Sequence, residues 1–548
     1  MDSKTLVFTA IVVACTPVAI LLGWNILVPL LFRVFSLTVG STLGWCLRKK
    51  TDGRRSSIIQ ATAESERRFR EEKAAAEDGQ DESSKSTGDS IIGSSSDIKN
   101  GGQGWDGIIG FFHPFCNAGG GGERVLWAAV RATQQRWPNA KIVVYTGDRE
   151  VSKEKMLLRV KHTFSIDIHP PSIHFLYLST RHWALSSTWP RMTLLGQSLG
   201  SLVMGWDALS LVVPDIFVDT MGYAFTLGLS KILFPHMPTA AYVHYPTIST
   251  DMLDSLDPKN PVGNQGVNAG KGVGYKGAAK RYYWKIFAAI YSWMGASVDV
   301  VMTNSSWTQE HIQSLWGPRR KQQGRKHPIA VVYPPCAVSE IERAVEISEE
   351  SEKRRQKYLV YIAQFRPEKN HQLILQAFAK FVKTGTESAK EAKLVFLGSV
   401  RDDHDSRRVY KLRLLVNELH IKDQVIFQLD APWPEILQWL GRAFVGVNGM
   451  WNEHFGIGVV EYLAAGLIPV VHDSGGPKLD IVIDVDGEPT GFHASTEDEF
   501  AEAFEKALSH PDPLSVRRRA RLSSKRFTEE EFARKWLAEI EKLVAMKS

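Results

Sequence analysis

Residues 448–477 read NGMWNEHFGIGVVEYLAAGLIPVVHDSGGP, an apolar helical pattern followed by an apolar strand. Glu453 precedes the helix, and Glu461 lies in it about two turns further on. The run FGIGVV between them is apolar, and the small residues AAG allow close packing. Two solvated surface glutamates are not expected in such surroundings. The stretch therefore predicts a functional site at the N-terminus of a buried helix, where an anion is favoured.

Short β-rich runs alternate with helical patterns on both sides of the motif. YLVYIAQF, KLVFLGS, VIFQL and FVGVN precede the helix, and PVVHD follows it. A separate series begins at Asp106 with IIGFFHPF, GERVLWAAVRATQQRW and KIVVYTGD. Strands that alternate with helices form parallel sheets. The sequence therefore predicts an α/β fold with two doubly wound, Rossmann-like domains, over residues 105–340 and 341–525.

The composition is that of an ordinary globular protein. Of the 548 residues, 44% are hydrophobic, 23% charged and 10% aromatic, which excludes a disulfide-stapled miniprotein and a mostly disordered chain. The 4 cysteines form no CxxC pair and indicate neither a zinc site nor a disulfide framework. A net charge of +6, spread over a long chain, does not imply nucleic acid as a partner.

The N-terminal residues 1–50 predict a membrane anchor. Residues 6–32 are nearly free of charge and exceed the roughly 20 residues that a helix needs to cross a bilayer. A cleaved signal peptide would have a shorter apolar core, whereas here the apolar character continues through Trp45. Whether residues 34–47 also span stays open. The basic residues that follow indicate a single-pass anchor with cytosolic domains: Arg48, Lys49, Lys50, Arg54 and Arg55.

Residues 51–104 have the composition of a disordered linker. Ser, Glu, Lys and Gly predominate, and the segment ends in KNGGQG. The run ATAESERRFREEKAAAE within it has helix-forming composition, so a charged helix at a membrane surface is an alternative. A solvated charge run is the simpler interpretation, and we expect a tether.

The first strand of the N-terminal domain ends in four glycines, in HPFCNAGGGGERVLW. They pass directly into a helix, and such a turn exposes backbone amides to an anion. The dinucleotide-binding fingerprint is excluded, because Arg124 stands where that pattern requires Gly or Ala. A tight strand–helix turn is the alternative, but successive glycines cost backbone entropy and so favour close approach of a ligand.

Two further sets of polar residues follow apolar strands. Arg366 and Lys369, in AQFRPEKNHQLIL, follow the first strand of the C-terminal domain and precede a helix. Ligands of doubly wound sheets bind at this end of the strands, so the two cations form a phosphate clamp in outline. His244 ends a strand in AYVHYP. A position in a cleft and a buried structural position are about equally supported for this histidine.

Together these motifs resemble the retaining GT-B glycosyltransferases, which use nucleotide-activated sugars and have two glutamates separated by seven residues, here Glu453 and Glu461. The anchor, HPFCNAGGGGERVLW and YVHYPTIS make the chain similar, more narrowly, to the α-1,2-mannosyltransferases of the dolichol pathway. The resemblance covers nearly everything after residue 105. It implies two domains that face each other across a cleft, with a C-terminal helix in 526–548 that crosses back to the first domain.

The resemblance also implies roles for single residues. Glu453 would bind sugar hydroxyls, Glu461 would hold the nucleotide ribose, and His244 would approach the donor sugar. Fixed cations stabilise a leaving diphosphate, so neither a metal nor a cofactor is expected. Three groups would bind the diphosphate and the sugar of the donor. They are the side chains of Arg366 and Lys369, the backbone amides at Phe455, Gly456 and Ile457, and the glycines Gly120, Gly121 and Gly122.

The reaction implied by the resemblance moves mannose from GDP-mannose to the lipid-linked oligosaccharide Man3GlcNAc2-PP-dolichol, with retention of configuration, at the cytosolic face of the endoplasmic reticulum membrane. Sequential additions, giving Man5GlcNAc2-PP-dolichol, and contacts with other mannosyltransferases of the pathway are further expectations. Two alternatives stay open. The enzyme would use another nucleotide sugar or lipid acceptor, or the chain would be a non-catalytic scaffold for such enzymes.

Overall fold

A computed structural model describes residues 30, 34–78, 104–256 and 274–547. The expected α/β architecture is confirmed, with two parallel sheets. The first sheet has the order β3-β2-β1-β4-β5-β6-β7. Its strands are β1 (Ile108–Phe112), β2 (Lys141–Thr146), β3 (Ile173–Tyr177), β4 (Ile216–Asp219), β5 (Thr239–Val243), β6 (Val300–Thr303) and β7 (Ala330–Val331).

The second sheet has the order β10-β9-β8-β11-β12-β13, and its strand pairs are also parallel. Because helices cover both faces, its central strands have apolar middles, such as LVY in β8, LVFL in β9 and VGV in β11. The strands are β8 (Gln356–Ile362), β9 (Lys393–Gly398), β10 (Val425–Leu429), β11 (Ala443–Asn448), β12 (Ile468–His472) and β13 (Phe492–Ala494).

Helices of the N-terminal part connect these strands and pack on both faces of the first sheet. They are α1 (Ser41–Asp78), α2 (Gly121–Arg136), α3 (Lys153–Phe164), α4 (Thr193–Leu211), α5 (Ala224–Leu233), α6 (Thr250–Asp254), α7 (Gly274–Ala296) and α8 (Ser306–Gln322).

Helices of the C-terminal part surround the second sheet in the same way. They are α9 (Val338–Ala344), α10 (Glu349–Arg354), α11 (His371–Lys383), α12 (Glu387–Glu391), α13 (Asp403–Glu418), α14 (Trp433–Arg442), α15 (Ile457–Ala465), α16 (Glu497–Leu508) and α17 (Pro513–Ser524). The last helix, α18 (Glu529–Ala545), packs on the N-terminal domain instead.

The strand order reverses once in each sheet, between β1 and β4 in the first and between β8 and β11 in the second. Such a switch point opens a crevice at the carboxyl ends of the strands, where doubly wound sheets bind ligands. The glycine run follows β1, Lys369 follows β8, and Glu453 follows β11. The topology therefore brings the predicted site segments to the two crevices.

The linker expected over residues 51–104 is wrong as far as Asp78, because residues 41–78 form one helix, α1. One stripe of α1 packs on the N-terminal domain and buries Leu47 and Ile58. Arg55 Nη2 lies 2.6 Å from Asp215 Oδ2. From residue 51 onward the composition resembles that of a solvated charge run because few apolar side chains, such as Ile58, face the domain, while charged side chains cover most of this part of the helix. Residues 79–103 lie outside the described part of the chain.

The anchor expected over residues 6–32 falls, apart from Leu30, on residues that the structure does not describe. A turn of π-helix, Ser36–Gly40, leads into α1. In the described ranges, no helix combines the length and the apolar character needed to cross a bilayer.

The C-terminal helix α18 packs against the N-terminal domain, in the manner expected from the resemblance. Phe532, Trp536 and Ile540 are buried in the core beside β1 and α2. Glu529 bridges Arg124 and Arg131 of α2, with both nitrogen–oxygen distances at 2.7 Å. The chain therefore crosses between the domains twice.

Polar contacts also join the two domains beside these crossings. Asp480 of the C-terminal domain accepts hydrogen bonds from the backbone N–H of Ser306 and from the hydroxyl of Tyr333, both at 2.9 Å. Its side chain is buried. A buried carboxylate needs such donors, so these bonds stabilise the arrangement in which the two crevices face each other.

Candidate active site

A cavity of about 550 Å³ lies between the domains at the carboxyl ends of both sheets. It is lined by every site residue predicted from the sequence except Arg366 and Gly120. These residues are Gly121, Gly122 and His244 from the N-terminal domain, and Lys369, Glu453, Phe455, Gly456, Ile457 and Glu461 from the C-terminal domain. We call this space the donor cavity.

Lys369 and Glu453 form an ion pair in the wall of the donor cavity. The Nζ–Oε2 distance is 2.5 Å, and Asn448 Nδ2 donates to the same oxygen at 3.4 Å. Burial alone would raise the pKa of Glu453, but the charge and hydrogen bond of Lys369 outweigh it and hold this pKa below its usual value. Glu453 is therefore an ionised hydrogen-bond acceptor, and its partner cation lies at the cavity surface.

The loop that carries Glu453 is held by two glycines in SGGP, which the sequence analysis does not single out. The backbone N–H of Gly476 donates to the carbonyl of Glu453 at 2.8 Å. Gly475 has a φ of 67°, and a Cβ atom there would overlap the same carbonyl oxygen. In the sequence, this contact could have been found from the two adjacent glycines after β12, because such glycines mark a close approach of two backbones.

Gly475→Ala is expected to lower kcat for sugar transfer by about 100-fold, because the new Cβ must displace the Glu453 loop and misplacements of about 1 Å have such effects. Gly487→Ala is the matched control. Gly487 also has a positive φ, 79°, but a Cβ atom added there would have no atom within 4 Å. Steady-state kinetics and thermal melting measure both variants. An equal loss of activity in the two would contradict the role of Gly475.

Glu461 projects from α15 into the donor cavity. Burial raises its pKa to about 7, and the charge of Arg124 offsets this only in part. The hydroxyl of the next residue, Tyr462, receives a hydrogen bond from Ile362 N–H at 2.7 Å and donates to the Val447 carbonyl at 3.2 Å. These bonds fix α15 against β8 and β11, so the carboxyl group of Glu461 is held at a set position in the cavity wall.

His244 faces the cavity from the N-terminal domain. Its Nε2 lies 3.0 Å from the Thr220 carbonyl oxygen, which only accepts, so Nε2 carries the hydrogen and Nδ1 is an acceptor. Burial, with the nearby His113, lowers the pKa of His244 to about 4. The imidazole is therefore neutral near pH 7, and it offers an acceptor to a hydroxyl group rather than a charge.

The glycine run contributes to the cavity through close approach of the two domains. A Cβ atom on Gly121 would lie 2.5 Å from Cδ1 of Ile457, at the start of α15. On Gly122 it would make only an ordinary contact, 3.7 Å from the His244 ring. Gly121 therefore lets the N-terminus of α15 come close to the start of α2, where both helices direct backbone N–H groups into the cleft.

Glu123, which the sequence analysis does not select, holds the glycine run from behind. Its Oε2 accepts a hydrogen bond from Gly120 N–H at 2.5 Å, and its Oε1 lies 3.4 Å from His113 Nε2. Gly120 is thereby tied to α2 and does not line the cavity, contrary to expectation. In the sequence, the role of Glu123 could have been found from its position three residues after the glycine that caps the helix, which is the spacing of a capping box.

Arg366 also lies outside the donor cavity. It lines a separate cavity of about 510 Å³ with basic residues of α13, and its nearest carboxylate oxygen belongs to Glu368, at 3.9 Å. The short 3₁₀ turn Pro367–Lys369 points the side chains of Arg366 and Lys369 into different cavities. The structure therefore has one cation of the predicted clamp in the cleft, Lys369, and not two.

In the described part of the chain, no group of three or more His, Cys, Asp or Glu side chains is arranged to hold a metal ion. Asp403 and Asp405 lie in the first turn of α13, where Asp405 accepts a hydrogen bond from Arg401 Nε at 3.1 Å.

Two family models match the chain. Residues 106–316 match the ALG11 mannosyltransferase N-terminus, and residues 343–526 match glycosyl transferases group 1. A GDP-Man:Man(3)GlcNAc(2)-PP-Dol alpha-1,2-mannosyltransferase of Neurospora crassa is 65% identical over 99% of this chain and 98% of its own length. The protein of that name from Homo sapiens is 44% identical over 80% of this chain and 87% of its own length.

Solved structures share the fold at low sequence identity. The trehalose-6-phosphate phosphatase N-terminal domain of Candida albicans has a TM-score of 0.58 at 13% identity and covers 81% of this chain and 98% of its own. A UDP-forming trehalose-phosphate synthase of Burkholderia xenovorans has a TM-score of 0.55 at 12% identity, covering 80% of this chain and 100% of its own. These similarities concern the two-domain fold alone.

Proposed function

The chain belongs to the ALG11 mannosyltransferase family, and from that premise we propose that it transfers mannose from GDP-mannose to the lipid-linked oligosaccharide Man3GlcNAc2-PP-dolichol, forming an α-1,2 linkage. The observation that carries the proposal is the donor cavity. It combines a lysine, two carboxyl groups and two helix N-termini at facing switch points. That combination suits a sugar nucleotide, which presents a diphosphate and many hydroxyls.

Departure of GDP builds negative charge on the β-phosphate, and the cleft offers two means of stabilising it. Lys369 Nζ lies in the cavity wall, and the N-terminus of α15 begins at Ile457 with free backbone N–H groups. Pre-positioned donors of this kind stabilise developing charge without reorganisation. We propose that they replace a divalent cation, so that the reaction needs no metal.

The remaining groups suit the hydroxyls of the donor. Glu461, which lines the cavity, would accept hydrogen bonds from the ribose, and Glu453 would accept them from the mannose. Nδ1 of the neutral His244 would accept another mannose hydroxyl from the opposite domain. Carboxylates and a neutral imidazole are acceptors, whereas sugar hydroxyls donate, so each pairing has the correct polarity.

Retention of configuration follows if the acceptor hydroxyl attacks from the face that GDP leaves. The C1–O bond to the β-phosphate breaks, the new C1–O2 bond forms on the same side, and the leaving phosphate takes the hydroxyl proton. Glu453 is held by Lys369 at 2.5 Å and is therefore better suited to bind sugar hydroxyls than to act as a nucleophile. Excluding water from the closed cleft prevents hydrolysis of the donor.

We further propose that the enzyme works at the cytosolic face of the endoplasmic reticulum membrane, with residues 6–32 as its anchor. Exposed apolar side chains on packed helices near the start of α1 support a membrane-facing surface. Aliphatic and aromatic residues contribute to it: Val34, Phe35, Leu37, Leu43 and Trp45 before and in α1, Leu199, Val203 and Trp206 in α4, and Tyr282, Ile286 and Ile290 in α7. Addition of a second mannose and association with other mannosyltransferases of the pathway belong to the same proposal.

The test uses the full chain in detergent with a synthetic Man3GlcNAc2-PP-lipid, and offers labelled GDP-mannose and UDP-sugars in parallel. Mass spectrometry of the product is expected to show added hexose with GDP-mannose alone. Turnover of a UDP-sugar instead would keep the fold and refute the donor. No product with any donor would favour a non-catalytic scaffold.

A further inference from the structure

A second cavity, of about 580 Å³, adjoins the donor cavity. The two share Tyr245 and His454, whose stacked rings lie with their centroids 4.1 Å apart. Both domains contribute to its walls, with Asp251 and Trp307 from the first and Trp451 and Asn452 from the second. The second cavity is therefore complete only when the domains face each other as they do here.

Aromatic rings form much of its wall. Trp307 stacks on His454 with a centroid distance of 5.3 Å and an interplanar angle of 23°, and Trp451 is only partly buried. Flat rings with one apolar face and a polar edge bind ligands that have both apolar C–H faces and hydroxyl edges. Pyranose rings are ligands of this kind.

Two carboxylates in the wall, Asp251 and Glu368, only accept hydrogen bonds. Asp251 Oδ2 accepts from Asn452 Nδ2 at 2.5 Å and lies 3.5 Å from His311 Nε2. Among the described residues these polar contacts of Asp251 both use Oδ2, which leaves Oδ1 able to accept from a hydroxyl. Glu368 supplies a second carboxylate. Sugar hydroxyls are donors that such oxygens can bind.

The charge of the wall distinguishes this cavity from the donor cavity. No lysine or arginine is among the described residues that line it. Its histidine, His454, is neutral near pH 7, because burial lowers the pKa of the ring to about 4. The guanidinium nearest to Glu368, that of Arg366 at 3.9 Å, lines the separate cavity beside α13, so the two carboxylates face this space without a lysine or arginine among its described lining residues and disfavour phosphate groups. A neutral, hydroxyl-rich ligand fits the cavity, and a nucleotide does not.

We propose that the second cavity binds the mannose-bearing end of the acceptor oligosaccharide and that Trp451 and Asp251 position it. This acceptor pocket rests on the proposed function and deepens it. The shared wall of Tyr245 and His454 puts a sugar in the pocket next to the donor mannose, so the accepting hydroxyl reaches the anomeric carbon without leaving the closed cleft. Holding both reactants in this way makes the step effectively unimolecular.

Trp451→Ala is expected to raise the KM for Man3GlcNAc2-PP-lipid by about tenfold, since an aromatic contact of this kind contributes about that factor in binding. Trp451→Phe should recover part of the loss, and Asp251→Asn should raise the same KM while keeping a partner for Asn452. The KM for GDP-mannose and the slow hydrolysis of GDP-mannose without acceptor should be unchanged. Tyr410→Ala, an exposed aromatic of α13 outside both cavities, is the control.

An unchanged acceptor KM in Trp451→Ala and Asp251→Asn would overturn the acceptor pocket, as would a parallel rise of the GDP-mannose KM. If the unmodified chain transfers nothing to the lipid acceptor, the proposed function fails separately. Saturation-transfer NMR with free mannotriose and GDP then tests the pocket alone. Binding that disappears in Trp451→Ala would support the pocket, and absence of binding to the unmodified chain would refute it.

Discussion

Replacing Lys369 by alanine is expected to lower kcat for mannosyl transfer by about 100- to 1,000-fold, the usual effect of losing one donor that stabilises developing charge. Of the described residues that line the donor cavity, only Lys369 is a lysine or arginine. Lys369→Arg keeps the charge with a different shape and should retain intermediate activity. Initial rates with saturating GDP-mannose measure the effect.

Lys380→Ala is the matched control for this substitution. Lys380 lies on α11 in the same domain, is exposed, and pairs with Glu497 and Asp498 at the surface. Its loss should leave kcat unchanged. If Lys369→Ala stayed within tenfold of the unmodified enzyme while Arg366→Ala lost activity, the charge-stabilising role would belong to Arg366.

The Lys369→Ala variant also leaves Glu453 buried without its cation, so an indirect effect must be separated. Loss of the ion pair removes what holds the pKa of Glu453 low, and burial should then raise that pKa. The double variant with Lys369→Ala and Glu453→Gln has no such buried charge. It is expected to recover thermal stability but not kcat, because the phosphate still lacks a cation.

Glu461→Gln is expected to raise the KM for GDP-mannose by about 10- to 100-fold, the range for losing a charged acceptor of hydrogen bonds. The pKa of Glu461 is raised to about 7, so its carboxyl group is partly protonated in the free enzyme near neutrality. Ribose hydroxyls need the ionised form as acceptor. The KM for GDP-mannose should therefore fall as the pH rises from about 6 to 8, and Glu461→Gln should flatten that dependence.

The stability of the folded protein should fall over the same pH range in which binding of GDP-mannose improves. The pKa of Glu461 is higher in the folded chain than in the unfolded chain, so its protonated form favours folding and its ionised form opposes it. The free energy of unfolding therefore falls as the pH rises from about 4.5 through 7. Glu461→Gln removes this loss and should raise Tm above pH 7. Buried Asp219, with a pKa of about 7, adds a similar pH dependence of Tm to the unmodified enzyme and to Glu461→Gln. The difference in Tm between these two proteins therefore reports on Glu461 alone.

Glu502→Gln is the control, because Glu502 is an exposed residue of α16 whose nearest cation, Lys506, lies 3.7 Å away. A GDP-mannose KM of Glu461→Gln that equals that of the unmodified enzyme at every pH would remove Glu461 from the donor site. A lowered Tm would indicate that the substitution acts through folding.

The parts of the site that could be predicted from the sequence are those set by the ends of strands and helices. Lys369 and Glu453 each follow an apolar strand, and parallel strands bring such positions to one edge. Glu461 lies in the apolar helix that follows Glu453. The sequence leaves His244 undecided between a core and a cleft position, because a strand end fits both. The structure decides for the cleft, since the ring lines the donor cavity.

Other features depend on contacts between distant segments, which a single sequence does not display. Arg366 and Lys369 are three residues apart, yet the intervening turn directs them into different cavities. Residues 51–78 form a helix because a narrow stripe packs on the N-terminal domain, although their composition is that of a tether. Gly475 holds the Glu453 loop from β12, a contact that local pattern does not reveal.

We propose that fixed protein groups, without a metal, transfer mannose from GDP-mannose in an α-1,2 linkage. The decisive test is to react GDP-mannose with Man3GlcNAc2-PP-lipid in the presence of EDTA, to follow the rate, and to determine the linkage of the product by NMR. We expect an undiminished rate and an α-configured mannose on a 2-hydroxyl. A β linkage, another acceptor position, or activity that returns only with a divalent cation would contradict this mechanism.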